Sequence, residues 1–166
     1  MEHSHRIRVA LRAAALLAMA AALTCCPSCK RPSGPAKVRI GQGEWRVELA
    51  VTDAQRQRGL GGRKAVPEGT GMLFVLDRQA DDVPFHMKEC LVPLDVAFIS
   101  ARLVVVDIRT MSLEPDPSDP KILYLSEHPY RYALEVAAGE FKRAGVKIGD
   151  RVALLGAARD AAKAAR

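Results

Sequence analysis

Between residues 71 and 109 the chain alternates dense apolar runs with short charged segments. Gly71-Met72-Leu73-Phe74-Val75-Leu76, Pro93-Leu94-Asp95-Val96-Ala97-Phe98-Ile99 and Leu103-Val104-Val105-Val106-Asp107-Ile108 each have the length of a strand. Such runs, bounded by charged or Pro-bearing segments, predict neighbouring strands of one buried sheet. Between the first two lies Phe85-His86-Met87-Lys88-Glu89-Cys90, which with Asp95 sets an imidazole, an ammonium, two carboxylates and a thiol beside the most apolar part of the chain.

The apolar rhythm continues in both directions. Val38 and Ile40 alternate with Lys37 and Arg39, and beyond Gly41-Gln42-Gly43 the positions Trp45, Val47, Leu49 and Val51 alternate with Arg46, Glu48 and Ala50. Period two around a Gly-bearing break predicts a β-hairpin. Thr52 with Gln55 three residues on has the form of a capping box, which predicts a short helix over 53–58 stopping at Gly59. Turn residues fill 59–69, a strand follows over 72–76, and 77–84 reads as a polar loop. The runs 94–99 and 102–108 are separated by Ser100-Ala101, the spacing of a tight hairpin. Pro115, Pro117 and Pro120 make 115–120 a surface loop. Strands are predicted at 122–125, 130–136 and 151–155, with a helical turn or two over 138–144 closed by Gly145. Residues 157–166 are rich in Ala but carry hardly any apolar bulk, and they are expected to fray. Seven or eight short strands and two short helices predict a mainly β fold over 37–156, a single compact β-sandwich or partly open barrel.

The N-terminus has a different character. Arg6, Arg8 and Arg12 precede an uncharged Ala/Leu run from Ala13 to Leu23, the layout of a secretory signal. That run is well short of the roughly 20 residues a membrane-spanning helix needs. It ends in Leu23-Thr24-Cys25-Cys26, which resembles a bacterial lipobox. Cys26 fits best as the acylated residue, with Cys25 and Cys29 as alternatives because Cys25 stands where Gly, Ala or Ser is usual. Residues 1–26 then form a signal peptide and 27–36, Pro-Ser-Cys-Lys-Arg-Pro-Ser-Gly-Pro-Ala, a flexible tether. The expected mature protein is exported and held at a membrane by its lipid, facing the periplasm or the cell exterior.

Charge and cysteines narrow the classes. The full chain carries +6, and loss of residues 1–25 leaves 22 basic against 18 acidic residues, or +4. Lys and Arg are spread along the chain with no basic run interleaved with aromatics, so nucleic-acid binding is not supported; weak attraction to anionic lipid headgroups is the simpler meaning. Only Cys90 among four cysteines lies in the predicted domain, which excludes a disulfide framework there. No residue pattern calls for a cofactor, and a monomer is expected.

Several short motifs occur together in order: Arg58-Gly59-Leu60, Gly71-Met72-Leu73-Phe74-Val75, Phe85-His86-Met87-Lys88-Glu89-Cys90, Pro93-Leu94-Asp95, Tyr132-Ala133-Leu134-Glu135, and Ala138-Gly139 through Gly149-Asp150-Arg151-Val152. From about Val47 to Leu154 this resembles the bacterial and archaeal domain-of-unknown-function family 192. The resemblance implies a compact, mainly β domain, often behind a signal peptide or lipobox, and implies no activity. The chain also departs from the family pattern. Where Phe-Trp-Met-Lys-Asn-Thr is typical, it has His86, Glu89 and Cys90, and where Met usually follows Gly-Leu it has Gly61. The Phe, Met, Lys and later Asp are retained, so a role for Lys88 and Asp95 survives.

Lys88 and Asp95 read either as an ion pair pinning a loop or as charges offered to a ligand. Asp95 stands at the edge of a buried strand and needs a donor partner. His86 and Cys90, joined by His128 or Glu89, make only a weak metal set, and Cys90 reads more readily as an inert, half-buried thiol than as a nucleophile. Glu135 falls on the strand face opposite Leu134, where a solvated carboxylate is the default. Arg56 and Arg58 on the short helix suit a carboxylate, from Asp95, Glu135 or a ligand. The leading expectation is an envelope module that binds a small ligand or envelope component, without turnover, through a pocket of Lys88, Asp95, Arg58 and Glu135, with His86 as a further candidate. A hydrolase acting on envelope carbohydrate or peptide would instead bring Asp95, Lys88 and Glu135 together in one cleft. A structural or assembly protein would have these charges saturated by one another.

Overall fold

A computed structural model describes residues 34–165. The predicted signal peptide, the lipidation candidate Cys26 and most of the tether lie outside those residues. The elements run β1 (Lys37–Ile40), β2 (Gly43–Ala50), α1 (Asp53–Arg58), β3 (Thr70–Ala80), β4 (Leu94–Ile99), β5 (Val105–Met111), β6 (Tyr130–Ala137), α2 (Glu140–Arg143), β7 (Val152–Leu155) and α3 (Ala157–Ala164).

The β-rich prediction holds, with the barrel form favoured over the sandwich. The strands make one seven-stranded sheet in the order β5-β4-β6-β3-β2-β1-β7, curled into a half-barrel. At one corner the two ends of the sheet meet. Val104 bridges Arg151, Val105 N–H donates to the Asp150 carbonyl at 2.9 Å, and Val152 N–H donates to the Leu103 carbonyl at 2.9 Å. All neighbours are antiparallel except β2 and β3, whose parallel pairing requires a crossover, and α1 supplies it. The predicted capping box starts that helix: Thr52 Oγ1 accepts from Gln55 N–H at 3.3 Å, and Gln55 Oε1 accepts from Thr52 N–H at 3.0 Å.

Both faces of the sheet are covered, which is why β4 is buried at all six positions. On one face Val38, Ile40, Trp45, Leu73, Leu134 and Val136 pack with Phe141 of α2 and Ala158 and Ala162 of α3. On the other, Met72, Phe74, Val96, Phe98 and Ala133 pack under Leu60, Phe85, Met87, Cys90 and Tyr130. Phe85 stands edge-on to Phe74 and Phe98, with centroids 5.0 and 5.4 Å away, so its loop is seated on the sheet.

The structure corrects several expectations. The three central apolar runs are not consecutive in space, because β6 inserts between β4 and β3. Its apolar side chains serve both faces, as a central position demands. Segment 122–125 is not a strand; Tyr124 makes one bridge to Phe85. β3 extends through Ala80 into the predicted polar loop, with its register broken after Val75. The 99–105 connection is longer than two residues and holds Leu103 at φ +58°. Residues 157–164 form a helix rather than a frayed tail. Ala158 and Ala162, one turn apart, are buried, because small side chains let the helix approach the sheet closely. Arg131 of β6 donates to the Ala165 carbonyl and fastens the end.

Candidate functional site

On the second face lies a cleft of about 210 Å³ where the α1 end and the 83–90 loop approach the sheet. α1 and Gly59-Leu60-Gly61 form one wall, and Pro84 to His86 with Lys88 form the other. Phe74, Leu76 and Phe85 give it an apolar lining, and Glu135 lies at its floor. Two glycines permit the close approaches. A Cβ on Gly61 would stand 3.2 Å from the Lys88 carbonyl and 3.1 Å from that of Arg58. A Cβ on Gly71 would overlap the Glu135 carbonyl at 2.1 Å, so β3 and β6 need glycine here to pair.

Glu135 is the unusual group. It does face away from Leu134, but that face is roofed by the 83–90 loop, so the side chain is buried rather than solvated, at 4% exposure. Among the described residues its carboxyl has no hydrogen-bond or ion-pair partner, unlike the other buried acids. Asp107, for example, accepts from the Ile108 and Glu127 amides and pairs with Arg109 at 2.9 Å. Burial without a partner disfavours the charged form and pushes the Glu135 carboxyl up to about 8.

Arg58 and Lys88 stand exposed at the mouth, and neither makes an ion pair among the described residues. Arg56, two residues earlier on α1, is fixed instead: it donates to the Val51 and Val75 carbonyls at 2.9 and 2.8 Å and pairs with Asp53 and Asp77. His86 lines the same mouth, and its Nδ1 accepts from Lys88 N–H at 3.3 Å. The structure therefore brings together Arg58, Lys88, His86 and Glu135.

Asp95 is the exception. It does not line the cleft and does not meet Lys88. Its Oδ1 accepts from Thr110 Oγ1 and its Oδ2 from Gly139 N–H, both at 2.8 Å, so it ties β4 to β5 and to the turn before α2. The donor that a buried carboxylate needs is present, but it is structural.

Cys90 lies beside Glu135 under the loop. Burial, and then the neighbouring carboxylate, push its thiol up to about 11. With so little thiolate at neutral pH, native Cys90 is expected to resist Ellman's reagent at pH 8 and to react fully once the chain is unfolded. Rapid reaction of the folded protein would contradict this burial. Among the described residues no group of three or more His, Cys, Asp or Glu side chains could hold a metal ion.

Three departures from the family pattern, His86, Cys90 and Gly61, fall in the cleft lining, and a fourth sits in the loop that roofs it. Glu89 has φ +57°, a left-handed conformation in which Asn is far better tolerated than Glu. The turn is held there by Glu89 N–H donating to Pro117 at 2.7 Å and Gly62 N–H donating to Glu89 at 2.8 Å. Glu89→Asn is expected to stabilise the fold by roughly 0.5–1 kcal/mol. A denaturation midpoint unchanged or lowered by that substitution would show that the Glu89 side chain contributes something the contacts do not.

A small half-barrel β domain with one roofed, apolar cleft and cations at its mouth is thus the class of protein defined by fold and site. The family model for the domain of unknown function 192, described as an uncharacterised ACR, matches residues 36–154, and the chain belongs to that family. Two crystal structures share the fold. One, from Sinorhizobium meliloti and described as a "putative transcription regulator", is 31% identical with a TM-score of 0.64 and covers 74% of this chain and 95% of its own. The other, a protein of unknown function from Novosphingobium aromaticivorans, is 28% identical with a TM-score of 0.61 and covers 72% and 83%. No curated protein matches the chain.

Proposed function

We propose that this chain is an exported, lipid-anchored carrier of one small-ligand-binding domain, acting without turnover. The N-terminal signal and Cys26 motivate the anchorage, and the tether would let the domain face an envelope component while its lipid holds the membrane. The observation that carries the binding reading is the unpartnered Glu135 carboxyl at the floor of an apolar cleft. A largely buried carboxyl with no protein partner is poorly solvated, and a ligand that supplies a partner recovers part of that cost. Arg58 and Lys88 add charges at the mouth not already committed to ion pairs, so the ligand carries an anionic group. A hydrolase reading is weaker, since Asp95, its second carboxylate, is bound to Thr110 and Gly139.

The test is thermal melting of the domain with fractions of envelope extract. A fraction that raises the melting temperature of the wild type, and does so much less in Lys88→Ala and Arg58→Ala, supports a binding module. Equal shifts in all three proteins would remove the cleft from the account.

A further inference from the structure

The chemistry of the cleft defines its anionic ligand more narrowly. Glu135 is buried, reaches the cleft and has no partner among the described residues. The two cations at the mouth stand outside it, and neither makes an ion pair with it. Arg56, the other cation on the α1 wall, is committed to Asp53, Asp77 and two carbonyls. The charge order from solvent inward is therefore positive at the mouth and a carboxyl at the floor, with Leu60, Phe74 and Phe85 between.

A purely anionic ligand would satisfy Arg58 and Lys88 and leave Glu135 as it is. A purely cationic one would satisfy Glu135 but would have to sit beneath two cations of its own sign. One molecule bearing both charges on a short frame with an apolar branch answers every group. We propose that the cleft binds an α-amino acid or close amphoteric relative, its ammonium on the Glu135 carboxylate, its carboxylate on Arg58 and Lys88, and its apolar side chain among Leu60, Phe74 and Phe85. This rests on the binding reading above.

Without ligand Glu135 holds its proton at neutral pH, because burial disfavours the carboxylate. An ammonium placed against it favours the carboxylate, so the proton leaves Glu135 for solvent as the amine arrives, and the ion pair forms without other chemistry.

The experiment begins by melting the purified domain with each common L-amino acid at millimolar concentration. The best stabiliser is then compared by titration calorimetry at pH 7 with its deaminated acid and its decarboxylated amine, in two buffers of different ionisation enthalpy. The expected result is binding at least tenfold weaker for either analogue, with up to roughly one proton released per amino acid bound. Glu135→Gln, close in shape to the native residue, should lose the proton release and the preference for the amino acid over its deaminated form. If the deaminated acid binds as tightly as the amino acid, the amphoteric assignment is overturned, although the cleft remains a binding site. If no amino acid stabilises the domain while an envelope fraction does, the ligand class is wrong. If neither stabilises it, both readings fall.

Discussion

Replacing Glu135 with Gln is expected to stabilise the ligand-free protein, and to do so more as the pH rises. The folded carboxyl titrates near 8 and the unfolded one near 4.5, so across that interval the native state holds a proton that the unfolded state has released. Stability is then greatest below the unfolded value and declines as pH climbs through the folded value, at up to about 1.4 kcal/mol per pH unit for one group. Gln has no such proton. The two proteins should melt at similar temperatures near pH 4.5 and separate progressively, by on the order of 4 kcal/mol or ~15 °C at pH 8. Melting curves recorded from pH 4.5 to 8.5 check this, and parallel pH profiles would show that Glu135 ionises freely in the fold. An ammonium ligand at saturation should flatten the wild-type slope, since it supplies the partner whose absence causes it.

Asp95 should behave in the opposite way. Its two carboxylate oxygens are the acceptors for Thr110 Oγ1 and Gly139 N–H, and it is 3% exposed. Asp95→Ala strands both donors beside a new hole, and a loss of about 3 kcal/mol is expected, at the upper end for single substitutions. Urea unfolding at pH 7 measures it. A loss below about 0.5 kcal/mol would mean that water replaces the carboxylate there. Ligand-induced stabilisation, measured below the lowered melting point, should persist in Asp95→Ala, whereas Lys88→Ala should keep its stability and lose that shift. The pair thus separates a residue that holds the sheet together from one that meets a ligand, although the two lie only seven positions apart in neighbouring motifs.

What was readable in the chain, and what was not, follows from range. Local signals carried well: the alternation at 45–51 gave β2, and Thr52 with Gln55 gave the capped α1. The partners of β3 and β4 were not readable, since an apolar run says that a strand is buried and not which strand lies beside it. The same limit applied at the site. Arg58, Lys88, His86 and Glu135 could be nominated by type, but the burial of Glu135 depends on a roof from residues 83–90, far away in sequence. Period two placed it opposite Leu134 correctly and still gave the wrong environment, because both faces of this sheet are covered. Asp95 was misplaced for a related reason: its acceptor role is satisfied by Thr110 and Gly139, which no spacing near residue 95 announces. The Ala-rich end lacks apolar bulk, but packing here requires small side chains at Ala158 and Ala162.

The pairing of β1 with β7, Lys37 opposite Leu155, has a consequence for the order of events in folding. Val38 and Ile40 at the start of the domain cannot be fully enclosed until Val152 and Leu154 near its end have arrived. A ribosome releasing this chain from the N-terminus therefore holds an incomplete sheet until β7 has emerged. Such long-range closure slows folding. Under the export proposed above, that delay would be an advantage, because a domain that closes late stays threadable for longer.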